Sequence, residues 1–283
     1  MMLAGRAALL FFMAAGIVCA PPALAQSDAN AVKLAPHRAV YDLKLTQSRF
    51  SRSAEAVTGR ILYDFSGNSC EGYALQFRQV SELDIGDGRA AVSDLRATTW
   101  EDGAATRFRF HSQNLLDEKP VDTVDGQAER GAAGGVAVNL TKPGRKQFEI
   151  EAGMVFPTEH MRRIIAAARA GKTILELPVY DGSENGEKIF STLTVIGQPI
   201  APDQRIPTDA AAGQAALAGL ARWPVTISYY DKQTKAGEQT PEYSITFELY
   251  ENGISRALLL DYNDFVLRGE MSSLEIKDAK PCR

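Results

Sequence analysis

From position 39 the chain alternates apolar and polar residues with a period of two: Ala39, Tyr41, Leu43 and Leu45 fall on one side, and Asp42, Lys44 and Thr46 on the other. Successive strand side chains point to opposite faces, so the pattern predicts a strand with one face buried. It recurs at Ile61, Tyr63 and Phe65, at Tyr73, Leu75 and Phe77, at Phe108 and Phe110, at Val136, Val138 and Leu140, and at Phe148 and Ile150. It resumes over 173–180, 190–196, 225–230 and 243–249, then at Leu258, Leu260 and Tyr262, at Phe265 and Leu267, and at Leu274 and Ile276. Ser66-Gly67-Asn68, Gly86-Asp87-Gly88, Glu101-Asp102-Gly103 and Glu251-Asn252-Gly253 supply residues that tolerate positive φ, as tight antiparallel hairpins require.

One stretch has a different period. Over 157–171, Met161, Ile164, Ile165 and Ala168 recur at helical spacing, Pro157 and Glu159 open the segment, arginines follow and Gly171 closes it. The spacing predicts one amphipathic helix packed as a plug or lid on a curved sheet. The Ala- and Pro-rich stretch 201–222 reads as a flexible surface insertion. No internal repeat and no linker suited to dividing the chain is found. The expectation is a mainly all-β protein: a large antiparallel curled sheet of roughly twelve to fourteen strands in an open barrel or β-spiral, forming a single domain over 26–283.

The first residues set the compartment. Arg6, an apolar run over 7–20 and the small residues Ala23 and Ala25 form the three parts of a secretory signal peptide over 1–25, with cleavage expected between Ala25 and Gln26. The run breaks at Pro21-Pro22, short of the roughly 20 apolar residues a membrane anchor needs. Lipidation at Cys19 is disfavoured, because Val18 stands where a small residue is wanted. The mature form is therefore expected in the periplasm with no transmembrane anchor. Removing Arg6 changes the formal charge from -4 to -5, an acidity that argues against nucleic acid or an anionic membrane as partner.

Two cysteines, Cys70 and Cys282, survive export. In an oxidising compartment such thiols usually pair, and a loop this long is worth at most roughly 5 kcal/mol in the chain-entropy model. Two unpaired buried thiols are the alternative; a redox-active pair is less consistent with their separation, since catalytic pairs generally lie close in sequence.

The sequence carries few candidates for chemistry. The mature chain holds His37, His111 and His160, and a hydrolase would have to use one of them. His160 could be partnered by Asp181 or Ser183, yet no nucleophile elbow or zinc-binding helix pattern accompanies it, so a structural histidine is the simpler reading. The acidic stretch 84–87 lacks the ligand count of a calcium loop. Gly131-Ala132-Ala133-Gly134-Gly135 does not open a helix as a phosphate cradle does. Trp100, Trp223, Tyr229 and Tyr230 have no interleaved basic run for stacking on nucleic acid. No cofactor or metal is called for.

Several segments together are specific enough to suggest a family: His37-Arg38-Ala39-Val40-Tyr41, Cys70-Glu71-Gly72-Tyr73, Phe156-Pro157-Thr158-Glu159-His160, Val179-Tyr180-Asp181-Gly182-Ser183, and Thr240-Pro241-Glu242-Tyr243 through Leu249-Tyr250-Glu251-Asn252-Gly253 to Leu260-Asp261-Tyr262-Asn263-Asp264-Phe265. Over nearly all its mature length the sequence resembles the cell-envelope integrity protein B family, periplasmic proteins of alphaproteobacteria. The resemblance implies about fourteen antiparallel strands in an incompletely closed spiral, a disulfide at the positions of Cys70 and Cys282, a part in envelope integrity under stress, and a shape akin to lipoprotein-binding periplasmic proteins. It brings no catalytic residues. The expected function is non-enzymatic envelope support through binding an envelope component or partner protein. The alternatives are a lipid or lipoprotein carrier with a cavity under the helix, and a hydrolase using His160 with Asp181 or Ser183.

Overall fold

The computed structural model describes residues 32–49, 56–84, 90–232, 240–279 and 282; the expected signal peptide, its cleavage site and the turn at 86–88 lie outside them. The first eight strands are β1 (His37–Ser48), β2 (Ala56–Asn68), β3 (Gly72–Asp84), β4 (Ala90–Glu101), β5 (Arg107–Leu116), β6 (Lys119–Arg130), β7 (Val136–Lys142) and β8 (Lys146–Ile150). The helix α1 (Pro157–Arg169) follows. The remaining strands are β9 (Ile174–Val179), β10 (Phe190–Ile196), β11 (Arg222–Asp231), β12 (Tyr243–Tyr250), β13 (Ser255–Asp261) and β14 (Phe265–Ile276).

All fourteen strands form one antiparallel sheet, ordered β8-β7-β6-β5-β4-β3-β2-β1-β14-β13-β12-β11-β10-β9. It consists of two meanders whose first and last strands, β1 and β14, pair in the middle, with His37 opposite Ile276 and Ser48 opposite Phe265. The edges β8 and β9 do not pair with each other, so the curled sheet stays open. The segment between β8 and α1 only touches the far edge: Val155 bridges Val179, with Val155 N donating to Pro178 O and Tyr180 N to Val155 O. The expected all-β architecture and central helix are therefore present.

The predicted alternation of β1 holds, with Ala39, Tyr41 and Leu43 almost fully buried. These side chains share a core with Ile61 and Phe65 of β2, Trp223 and Val225 of β11, and Ile164 and Ile165 of α1. Burying each of the two isoleucines stabilises by about 1.5–3 kcal/mol, which fixes the helix against the inner face of the sheet. A second core gathers Phe108, Phe110, Val138 and Leu140 beneath Phe156 and Tyr180.

The strands β4 and β6 carry no clear alternation of apolar and polar residues, so the sequence pattern does not predict them. The stretch 201–222, expected as a surface insertion, sends Ala211 and Leu217 into the main core and holds a short 3-10 turn at Ala215–Leu217. It is tied down by an ion pair from Arg256 Nε to Asp209 Oδ2 at 2.9 Å, and Arg256 also pairs with Glu248 at 2.5 Å.

Candidate functional site

The inner face of the sheet is not filled completely. Two adjoining cavities, of about 780 Å³ and about 220 Å³, lie beside the first turn of α1 and share Leu75, Thr99, Pro157 and Asp181 in their walls. The larger is lined by apolar side chains including Phe77, Leu95, Phe110 and Phe190, and its size falls within the roughly 300–1,000 Å³ of small-molecule sites.

The loop after β9 shapes the junction between them. Tyr180 is fully buried, and its hydroxyl donates to Gly186 O at 2.6 Å. Gly182 has φ +68°, and a Cβ there would lie 2.4–2.7 Å from the Phe110 ring, so glycine is required for the loop to approach β5 this closely. Between these two anchors Asp181 is turned toward the cavities. Ser183 N donates to Asp181 Oδ1 at 2.9 Å, and burial pushes the carboxyl above its ordinary range against this hydrogen bonding.

Aromatic rings form one wall. Tyr229 and Tyr243 stack with centroids 4.5 Å apart, and Phe190 meets them edge-on at 5.7 and 5.9 Å. Tyr243 faces the larger cavity and Tyr229 the smaller. Burial raises both phenols far above the usual range, so they stay neutral hydrogen-bonding groups.

The helix above the cavity is held by charges from the sheet. Glu101, at the end of β4, accepts from Thr158 N and Glu159 N. Glu159 in turn receives Arg130 at 3.0 Å and Arg163 at 2.5 Å. Arg130 also donates to Ala105 O and Met154 O, and Arg162 to Gly103 O at 3.0 Å. This network sets the tilt of the first turn, and with it the cavity roof.

The hydrolase constellation is not assembled. His160 Nε2 lies 3.3 Å from Thr192 Oγ1, and no hydrogen bond joins it to Asp181 or Ser183. Burial, reinforced by Arg163, holds the imidazole near a pKa of about 4, which keeps it neutral. His160 and Asp181 border the smaller cavity, while Ser183 borders only the larger. His37 is buried, with Nδ1 2.8 Å from Ala35 O. His111 borders the larger cavity, with Nδ1 3.1 Å from Asp125 Oδ2. Among the described residues no cluster of three or more metal-ligating side chains occurs, and no helix is long and apolar enough to cross a membrane.

Cys70 and Cys282 form a disulfide with Cα atoms 5.7 Å apart, 212 positions apart in sequence. Cys70 sits in the β2–β3 turn, where its backbone N donates to Asn68 Oδ1. The tail reaching Cys282 is also held by Lys277, which donates from its backbone to Pro36 O and pairs with Asp64.

The fold is thus an open antiparallel barrel with a helix against its inner face and, beside the helix, an apolar cavity of the size that small-molecule sites have. Residues 28–278 match the family model described as EipB-like, and the chain belongs to that family. It is 37% identical over 254 residues to the Cell envelope integrity protein EipB of Brucella abortus (strain 2308), an alignment spanning 90% of this chain and 88% of that protein. It also matches the crystal structure of a beta-barrel-like protein of a domain of unknown function from Brucella abortus, with a TM-score of 0.80 and 35% identity, covering 88% of this chain and 100% of that one.

Glu101 and Arg130 escaped the sequence reading. Glu101 stood only as part of a turn motif, and its one available signal was a carboxylate closing a strand in a β-rich chain.

Proposed function

We propose that this chain is a non-enzymatic periplasmic protein that supports cell-envelope integrity under stress by binding an envelope component, whether a partner protein, a lipoprotein or a lipid. The observation that carries the reading is the cavity of about 780 Å³ between the curled sheet and the first turn of α1. Its lining is apolar with a few convergent polar groups, the usual make-up of a ligand site. Family membership supports the cellular role, since the relative at 37% identity is named for envelope integrity. The export signal read at 1–25 supports the compartment.

The apolar lining favours a more specific version, a lipid or lipoprotein carrier whose acyl chain enters the cavity. Deleting the gene in its native bacterium tests the cellular role. The expected result is increased sensitivity to detergent and cell-wall antibiotics, restored by the intact gene. Unchanged sensitivity would overturn it.

A further inference from the structure

The carboxylates set into this fold are matched one by one. Asp64 pairs with Arg38 and Lys277, and Asp94 with Arg78 and Arg96. Asp209 pairs with Arg256, Glu159 pairs with Arg130 and Arg163, and Glu101 takes two backbone N–H groups of α1. Asp181 differs. Its hydrogen bonding comes from Ser183, two positions away, and it forms no ion pair among the described residues. Asp181 is half-buried, and it borders both cavities.

The charge of the lining is one-sided. Asp122, Asp181 and Glu184 line the larger cavity, Glu184 paired with Lys188 behind the wall, and neither cavity is lined directly by a lysine or arginine of the described residues. Two of the three imidazoles at the walls, His37 and His160, are held below their usual range by burial. Asp181 shares the walls of the smaller cavity with Tyr229 and those of the larger with Tyr243. Aromatic rings beside an uncompensated carboxylate are the recognition chemistry of an ammonium group, while an unpaired buried carboxylate disfavours an anion.

We propose that the joined cavities hold an amphiphile with an ammonium head group, the head seated at Asp181 beside Tyr229 and Tyr243 and the alkyl chain along Leu75, Phe77 and Leu95. This rests on the proposed binding role and names the class of ligand.

The test is calorimetric titration of the purified protein with three probes that carry ten-carbon chains, below their micelle concentrations: decyltrimethylammonium, decanoate and 1-decanol. The expected result is that the cation binds about tenfold or more tighter than decanoate and also tighter than 1-decanol. Asp181→Asn retains the acceptor for Ser183 N–H and brings cation and anion to within about threefold. Decanoate binding as well as the cation, or a preference that survives Asp181→Asn, would overturn the proposal. The comparison with 1-decanol in the unaltered protein decides the matter if the variant does not fold: equal affinity for the cation and the alcohol overturns it. Binding of none of the probes also overturns it, whereas failure of the envelope role is read separately from the sensitivity of the deletion strain.

Discussion

The carboxylate of Glu101 caps the helix that begins at Pro157: Thr158 N donates to Oε2 at 2.7 Å and Glu159 N to Oε1 at 2.8 Å. The residue in the N-cap position, Phe156, has no side chain able to do this, so a strand far off in sequence supplies the acceptor. The arrangement couples the end of β4 to the roof of the cavity. Glu101→Ala would leave two buried N–H groups without partners, at a cost of about 2 kcal/mol or more. Urea denaturation should show that loss, and an unchanged midpoint would show that the cap is dispensable.

Burial pushes Glu101 up to about 7, against the two N–H donors, and holds His160 down near about 4, with Arg163 adding to the effect. The signs oppose. The contribution of Glu101 is fully present below its ordinary value of 4.5 and is lost as pH rises through about 7. That of His160 is fully present above 6.5 and is lost as pH falls through about 4. The two offset each other between these limits, each on the order of 3 kcal/mol over its full window. Unfolding free energies measured from pH 4.5 to 6.5 should therefore fall on acidification in Glu101→Gln and rise in His160→Asn. Identical pH profiles for the two variants would contradict the assignment.

Removing the bond between Cys70 and Cys282 frees the tail from the β2–β3 turn. Cys70→Ser is expected to cost about 2–4 kcal/mol and to lower Tm by roughly 5 °C or more. Lys277 still ties the preceding residues to Asp64 and Pro36, so proteolysis should begin beyond it. Equal Tm with and without reductant would make the bond incidental.

The strands that bury large residues were legible because their inner faces alternate strongly, as at Tyr41 and Leu43 or Val138 and Leu140. In those missed, small residues interrupt the large inward-facing ones, Val124 in β6 and Leu95 in β4, for two physical reasons. In β6, Gly126 makes room for Phe110 and Leu140, whose atoms would lie 2.6 and 2.8 Å from a Cβ there. In β4, Ala97 and Thr99 border the open cavity and have nothing to fill it with. The cavity thus erased the periodic signal of the strand that lines it. Asp181 was singled out beside His160, but as a catalytic partner; pairing across long sequence separations, such as Thr192 with His160, decides its surroundings and leaves no local trace.

Ala97 also offers the most direct measurement of whether the cavity carries the function. It lies on the inner face of β4, opposite Phe77, and lines the cavity without belonging to either hydrophobic core. Ala97→Trp should occupy the space while leaving the sheet and disulfide intact. Expressed in the deletion strain at the level of the unaltered protein, it is predicted to fold, to lose binding of decyl probes and to leave the cells sensitive to detergent. Full restoration of detergent resistance by a folded Ala97→Trp protein would contradict a role for the cavity.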